Sequence, residues 1–165
     1  MSTPVHKGIM ESVKDTLVGS IKGTGAVGTA LTSTVSDVLR GAITGTAQVG
    51  GDLGATAKGG VIGVLKGTKE VGAEAVVTVG TSARVLVKSA AEVGGDVGLV
   101  ARNAVEGAIA GAKSAGISAE EAASAAATGA LTGAGEISQE AVDQVRKAAT
   151  GVISGVKVVV KEPFK

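Results

Sequence analysis

Residue types that could carry out chemistry are scarce in this sequence of 165 residues. There is no cysteine, and His6 is the only histidine. A thiol nucleophile, a histidine base and a histidine-rich metal site therefore lack the side chains they need. The carboxylates are scattered along the chain and stand near lysine or arginine, a pattern typical of a solvated surface. The sequence predicts a protein that is not an enzyme and that holds no metal or cofactor.

One glycine-rich segment, Gly23 to Gly28, matches the G-x-G-x-x-G pattern of dinucleotide-binding loops. In those loops the pattern follows a strand and opens a helix, and an acidic side chain stands about 20 residues further on. No strand pattern precedes Gly23, no acidic residue stands at that spacing, and two of the glycines belong to a longer repeat. We therefore expect no nucleotide site and no small-molecule substrate.

Composition narrows the choice of partners. Sixteen basic and 15 acidic residues give a formal net charge of +1, and Phe164 is the only aromatic residue. Specific nucleic-acid binding is not expected, because it relies on a basic surplus or on aromatic platforms. The positive mean hydropathy of +0.39 argues against a disordered chain. A stress-protectant chain that stays disordered until dried is therefore the weakest of the functional alternatives.

A repeat of 22 residues organises almost the whole chain. Its skeleton is G-x-Φ-x-G-x-x-x-V-G, where Φ is a large apolar residue, and it is clearest from Gly63 to Gly72. The seven copies begin at Gly19, Gly41, Gly63, Val85, Gly107, Gly129 and Gly151, and the copy at Val85 is degenerate. A repeat of this length is typical of repeat architectures. We take residues 6–160 as a single repeat region, with tails at 1–5 and 161–165.

The repeat predicts amphipathic helices, because 22 is twice eleven and eleven residues make three helical turns. In rows of eleven drawn from His6, every charged residue except Glu120 falls in five columns that are neighbours on a helical wheel. The predicted fold class is therefore all-α, as a long helix, as helical hairpins or as a solenoid. The unbroken phase favours the continuous helix slightly. Breaks are possible at Gly50-Gly51, at Gly59-Gly60, at Gly94-Gly95, after Gly116 and before Ser138. A super-repeat of 44 residues is also present, since the segment 49–52 matches 93–96 and the segment 102–113 matches 146–157.

Glycine pairs four residues apart predict close helix packing. Each glycine inside a helix costs about 1 kcal/mol relative to alanine, so the helices need a partner. Two glycines one turn apart form a notch in which a second backbone can approach closely. The predicted packing glycines are Gly19, Gly23, Gly41, Gly45, Gly63, Gly67, Gly107, Gly111, Gly129, Gly133, Gly151 and Gly155.

Charged residues are sorted by sign on the polar face, with a basic column at one edge and an acidic column at the other. Parallel neighbours would therefore be complementary, and such pairs can set orientation even when each contributes little affinity. The residues predicted to face one another are Lys58, Lys69, Arg102 and Lys113 on the basic edge and Asp52, Glu74, Asp96 and Glu140 on the acidic edge. A merely solvated face is the alternative.

Eleven-residue amphipathic repeats rich in Val, Ala, Thr, Gly and Lys resemble those of synucleins, perilipins and exchangeable apolipoproteins. The segment Lys66 to Gly72, K-G-T-K-E-V-G, is similar to the synuclein-type K-T-K-E-G-V core with Val and Gly exchanged. The resemblance implies binding to a lipid surface. It covers most of the chain as a period, but as a motif it is close in this copy alone.

Together these patterns favour a structural protein whose helices self-assemble side by side into a filament, tube or coat, with lipid as a possible component. A monomeric coat of lipid droplets or membranes that folds on lipid is the alternative. The first 15 residues contain no apolar run like that of a signal peptide. Charge-free stretches such as 23–36 and 122–135 fall short of the about 20 residues that span a membrane. We expect a cytoplasmic protein or one at a lipid surface.

Overall fold

A computed structural model describes residues 4–24, 29–71 and 74–160. Within these ranges the chain forms seven α-helices followed by an antiparallel β-hairpin. The elements are α1 (Pro4–Thr24), α2 (Thr29–Gln48), α3 (Leu53–Val71), α4 (Ala75–Glu92), α5 (Val97–Ala115), α6 (Ala119–Gly135), α7 (Gln139–Ala149), β1 (Gly151–Ile153) and β2 (Val156–Val158). The chain is mostly helical, which confirms the all-α class. The slight preference for one continuous helix is wrong, because the chain turns between separate helices. The possible break at Gly59-Gly60 is wrong as well, because both glycines lie inside α3.

The tetrapeptide V-G-G-D makes one of these turns, after α4. Gly94 has a φ of 74°, a left-handed conformation that glycine adopts without strain. The Gly95 N–H then donates a hydrogen bond to the Ala90 carbonyl, closing the helix end. The Asp96 carboxylate accepts a bond from the backbone N–H three residues on and so begins α5. The same tetrapeptide at 49–52 makes equivalent bonds between α2 and α3.

Serine caps begin the last two helices, at the positions where the sequence indicated breaks. Gly116 ends α5 with a φ of 77°, and the Ser118 hydroxyl accepts a hydrogen bond from the Glu121 N–H. The Ser138 hydroxyl accepts a bond from the Ala141 N–H at the start of α7. Each cap satisfies a backbone donor that the first turn of a helix leaves unpaired.

The helices form two layers. In the odd layer α3 packs against α1 and α5, and α5 packs against α7. In the even layer α4 packs against α2 and α6, and the hairpin lies beside α6. Neighbours within a layer are parallel, since Gly107 and Gly111 of α5 lie over Lys58 and Ile62 of α3 in the same order. The repeat thus places every second helix side by side.

The core of the described residues is built from aliphatic side chains. Its largest fully buried side chains are Leu39, Ile43, Leu65, Leu86, Leu131 and Ile153. Four of these stand at the Φ position between the two glycines of a copy. Alanine and valine fill most of the remaining core. The repeat therefore supplies the small residues at which helices approach closely and, between them, a large apolar residue for the core.

The seventh copy departs from the helical pattern. Gly151 and Gly155 were expected to pack helices, but α7 ends at Ala149 and both glycines lie in the hairpin with φ values of 89° and 79°. The run from Val156 to Val160 is rich in β-branched residues, which favour strands. Ile153 keeps the burial of its Φ position nevertheless. The seventh copy therefore forms a hairpin instead of a helix, and its apolar residue is still buried in the core.

Candidate helix-packing interface

Three glycine notches are filled by a backbone of the same chain. In the odd layer, a Cβ atom built on Gly63 would overlap the Met10 carbonyl oxygen of α1. A Cβ atom on Gly107 would lie 2.6 Å from the Lys58 carbonyl oxygen of α3, far closer than real Cβ atoms come to an oxygen. One turn later, a Cβ on Gly111 would meet a Leu65 methyl group at 2.7 Å. Gly63 and Gly107 have no room for a side chain because a backbone lies against them, whereas at Gly111 the Leu65 side chain would have to shift.

The third filled notch lies in the even layer, between α4 and α6. A Cβ atom built on Gly129 would overlap the Gly80 carbonyl, and one on Gly133 would lie 2.7 Å from the Arg84 carbonyl oxygen. The copy in α4 has Val85 and Ser89 at the two glycine positions, and both are buried. Buried side chains therefore stand at both glycine positions of this copy.

The glycines of α2 are not covered. Gly41 and Gly45 are both exposed, and a Cβ atom built on either would meet nothing within 4 Å. Gly19 of α1 is likewise exposed with open space around it. Of the other predicted glycines, Gly67 is buried in α3 and Gly23 lies near the end of α1. We call the outer surface of α1 and α2 that carries Gly19, Gly41 and Gly45 the N-terminal end face.

A groove of about 420 Å³ runs between α1 and α2 beside this face. Ile9 and Val38, both half-buried, line it together with buried Val13. Asp37 is the charged residue among its lining side chains. The groove is open, and the hydroxyl residues Ser12 and Thr16 lie among its glycine and aliphatic residues. Its lining is mostly apolar, which suits the surface of another helix better than a polar small molecule.

Ion pairs join parallel neighbours across the layers' outer surfaces. Arg40 of α2 donates two hydrogen bonds of 2.7 and 2.9 Å to the Glu92 carboxylate of α4. One 44-residue unit later, Arg84 of α4 donates to Glu136 of α6 at 2.7 Å, and the Lys88 ammonium lies 2.9 Å from the same carboxylate. These pairs are exposed, so we expect them to favour orientation more than stability.

The charged residues that the sequence predicted to face one another differ in what they contact. Lys58 lies 4.0 Å from Glu106 of α5, and Arg102 pairs with the same carboxylate within α5. Asp52 and Asp96 cap helices. Lys69 and Lys113 lie in the last turns of α3 and α5, Glu74 precedes α4, and Glu140 lies in the first turn of α7. Parallel neighbours are thus joined largely by other residues than those predicted.

The sequence signal for the observed pairs was the 44-residue super-repeat. Arg40 and Arg84 are 44 residues apart, and so are Glu92 and Glu136. An arginine and a glutamate recurring together at this spacing indicate the same contact made twice. Rows of eleven residues place these arginines and glutamates in the same columns as other charged residues, so the eleven-residue period alone does not distinguish the observed pairs.

Glu136 gives a prediction for acid stability. Hydrogen bonds from Arg84, and then from Lys88, hold the pKa of the Glu136 carboxyl below its ordinary value of 4.5. A carboxyl with a lowered pKa in the folded state stabilises the fold above its ordinary pKa, and this contribution is lost as pH falls through the folded pKa. We expect Glu136→Gln to lower the free energy of unfolding at neutral pH by about 1 kcal/mol or less, since the pair is exposed.

Urea unfolding at pH 7 and at a pH below the lowered pKa of Glu136 checks this expectation. The difference between Glu136→Gln and the natural protein should shrink at the lower pH, where the natural carboxyl is protonated as well. Glu120→Gln, an exposed residue in the first turn of α6, is the matched control. A difference that is the same at both pH values would contradict the role of the ion pair.

No group of three or more His, Cys, Asp or Glu side chains that could bind a metal is found among the described residues. No helix in the described ranges combines the length and apolar character needed to cross a membrane. Residues 25–28 of the G-x-G-x-x-G segment, and residues 1–3 and 161–165 of the expected tails, lie outside the described ranges. No protein-family model matches the chain, and no curated protein matches it significantly.

Proposed function

We propose that this chain is a non-enzymatic structural protein of stacked helical repeats that assembles with copies of itself. The open notch of α2 is the observation that carries the proposal. In α3, α5 and α6, notches of this kind receive a helix backbone of the same repeat, as Gly107 receives the Lys58 carbonyl. Gly41 and Gly45 keep the same spacing and have no such neighbour in the part of the chain that the structure describes.

Energetics support a use for these two glycines. An exposed glycine inside a helix costs about 1 kcal/mol relative to alanine. Gly63 and Gly107 offset that cost by letting two backbones approach, whereas no described residue from another helix of the same chain lies within 4 Å of a Cβ atom built on Gly41 or Gly45. Association through α2 would supply the missing contact. The extent of the assembly, as pairs, filaments, tubes or a coat, belongs to the proposal.

Larger side chains at the two glycines of the α2 notch test self-assembly. We expect the natural protein to sediment as more than one chain, and the double variant Gly41→Gln, Gly45→Gln to sediment as a single chain. Glutamine is a good helix former, and open space surrounds both positions, so the variant should fold. Ala110→Gln, on an exposed position of α5, is the control and should assemble normally. A natural protein that sediments as a single chain up to its solubility limit would refute the proposal.

Vesicles distinguish the lipid-coat alternative in the same samples. Circular dichroism should show strong helicity in plain buffer, because most of the described Φ side chains are buried within the chain and need no lipid; these are Ile43, Leu65, Val87, Leu131 and Ile153. Adding phosphatidylcholine vesicles that contain phosphatidylserine should then change little. A chain that is coil in buffer and turns helical on vesicles would favour the lipid-surface coat instead.

A further inference from the structure

The two ends of the helical array differ. At the C-terminal end, the Ser124 hydroxyl of α6 donates a 2.5 Å hydrogen bond to the Val159 carbonyl, so the segment after β2 lies on α6. Ser124 stands 44 residues after Gly80, whose carbonyl fits against Gly129. The hairpin segment therefore occupies the place where a further helix of the even layer would pack.

The last helix of the odd layer also presents a polar surface at this end. Glu140 and Asp143 of α7 are exposed, while Val142 and Val145 on its other side are buried. A polar outer face on the terminal repeat is how stacked arrays end without aggregating. The C-terminal end is therefore capped in both layers.

From this asymmetry, and resting on the proposed function above, we infer that a second copy of this chain docks on the N-terminal end face and that the resulting two-fold pair does not grow further. The surface of the N-terminal end face is the notch of Gly41 and Gly45 with the groove beside it. Its occupant is identified by the contacts inside the chain, where such notches take a helix of this repeat.

The second copy has one suitable surface to offer. Among the described elements, the helix faces that receive a notch are already covered: α1 by α3, α3 by α5, and α4 by α6. The corresponding side of α6 is covered by the hairpin segment. What remains is the second copy's own N-terminal end face. Two identical faces in contact make a closed two-fold interface, and paired G-x-x-x-G helices are a known form of such contact.

Charge supports this arrangement. Glu92 and Glu136 each pair with an arginine of the preceding helix in the even layer, and the residue at the corresponding position of α2 is the neutral Gln48. A glutamate there would face its symmetry mate in a two-fold pair. Asp37 lies on the same side of α2, at the groove. Repulsion between two Asp37 carboxylates places the two-fold axis nearer to Gly45.

Spin labels on single cysteines test which ends meet, since the natural sequence has no cysteine. Thr44→Cys places a label on the exposed surface of α2, and Glu140→Cys places one on the exposed surface of α7. Each chain then carries one label, so any electron–electron distance arises between chains. We expect a short, narrow distance for the Thr44 label, none for the Glu140 label, and a mass of two chains for both proteins.

The outcomes separate this inference from the proposed function. A mass that grows with concentration, or a short distance at Glu140, would overturn the closed pair and leave self-assembly standing. A two-chain mass with no short distance at Thr44 would show that another surface is used, which also overturns the inference. A single-chain mass for the unlabelled natural protein would instead remove the proposed function itself.

Discussion

Gly107→Ala should destabilise the protein although alanine is the better helix former. The new Cβ atom would lie 2.6 Å from the Lys58 carbonyl oxygen, and a backbone carbonyl cannot move aside as a side chain can. Helices α3 and α5 must therefore separate, which weakens contacts along both. Overpacking of this kind costs about 1–3 kcal/mol, more than the about 1 kcal/mol gained in helix propensity. We expect a clear net loss in the free energy of unfolding, measured by urea denaturation.

Gly41→Ala is the matched control, because Gly41 holds the same place in its copy of the repeat and has open space around it. At protein concentrations where the chain is single, we expect this substitution to stabilise the fold by up to about 1 kcal/mol. Gly129→Ala should be more damaging than Gly107→Ala, since its Cβ atom would overlap the Gly80 carbonyl. If all three substitutions change stability alike, the close approach of these helices is refuted.

The role of Gly63 and Gly107 differs from the one predicted from the sequence. The sequence predicts that leucine at both positions abolishes assembly between molecules. Since both notches are filled by helices of the same chain, the same substitutions should now unfold the chain itself. A notch in a sequence indicates that a backbone will come close, but it does not say whether that backbone belongs to the same molecule.

Helix type and helix ends could be predicted from the sequence for physical reasons. Charged residues that keep to the same columns at a period of eleven residues require a helix. The segment V-G-G-D specifies a turn, because its first glycine adopts the left-handed conformation and its aspartate caps the next helix. Continuity could not be predicted. Copies of fixed length keep the same phase whether the chain runs straight through Gly94 or reverses there.

The last copy shows a second limit of the repeat. Gly151, Ile153 and Gly155 match the skeleton, yet the β-branched residues that follow favour a strand, and the glycines allow a tight turn. The skeleton alone specifies an apolar residue between two small ones, and both a helix and a hairpin can bury that residue. The local composition after Gly155 was the signal that distinguished them.

Leu131→Ala should be among the most destabilising substitutions that leave no charge buried. Leu131 is the Φ residue of the sixth copy and is fully buried in α6. The core to which it belongs is largely alanine and valine, which cannot extend to fill the space that a leucine leaves. Losing the side chain and leaving a cavity costs about 2–5 kcal/mol. The described core contains no aromatic side chain, so its buried area comes from aliphatic residues such as Leu131. We therefore expect a loss in the free energy of unfolding in the upper half of that range.

Leu99→Ala makes the comparison within one residue type. Leu99 lies in the first turn of α5 and is 45% exposed, so its removal opens no enclosed cavity. We expect a loss below about 1 kcal/mol, as for other partly exposed apolar residues. Urea midpoints of the two variants should therefore differ widely while their denaturant slopes stay alike, because the slope follows the surface exposed on unfolding. Equal midpoints would mean that the Φ position does not form the core, and that the regular burial of the repeat is not what holds its helices together.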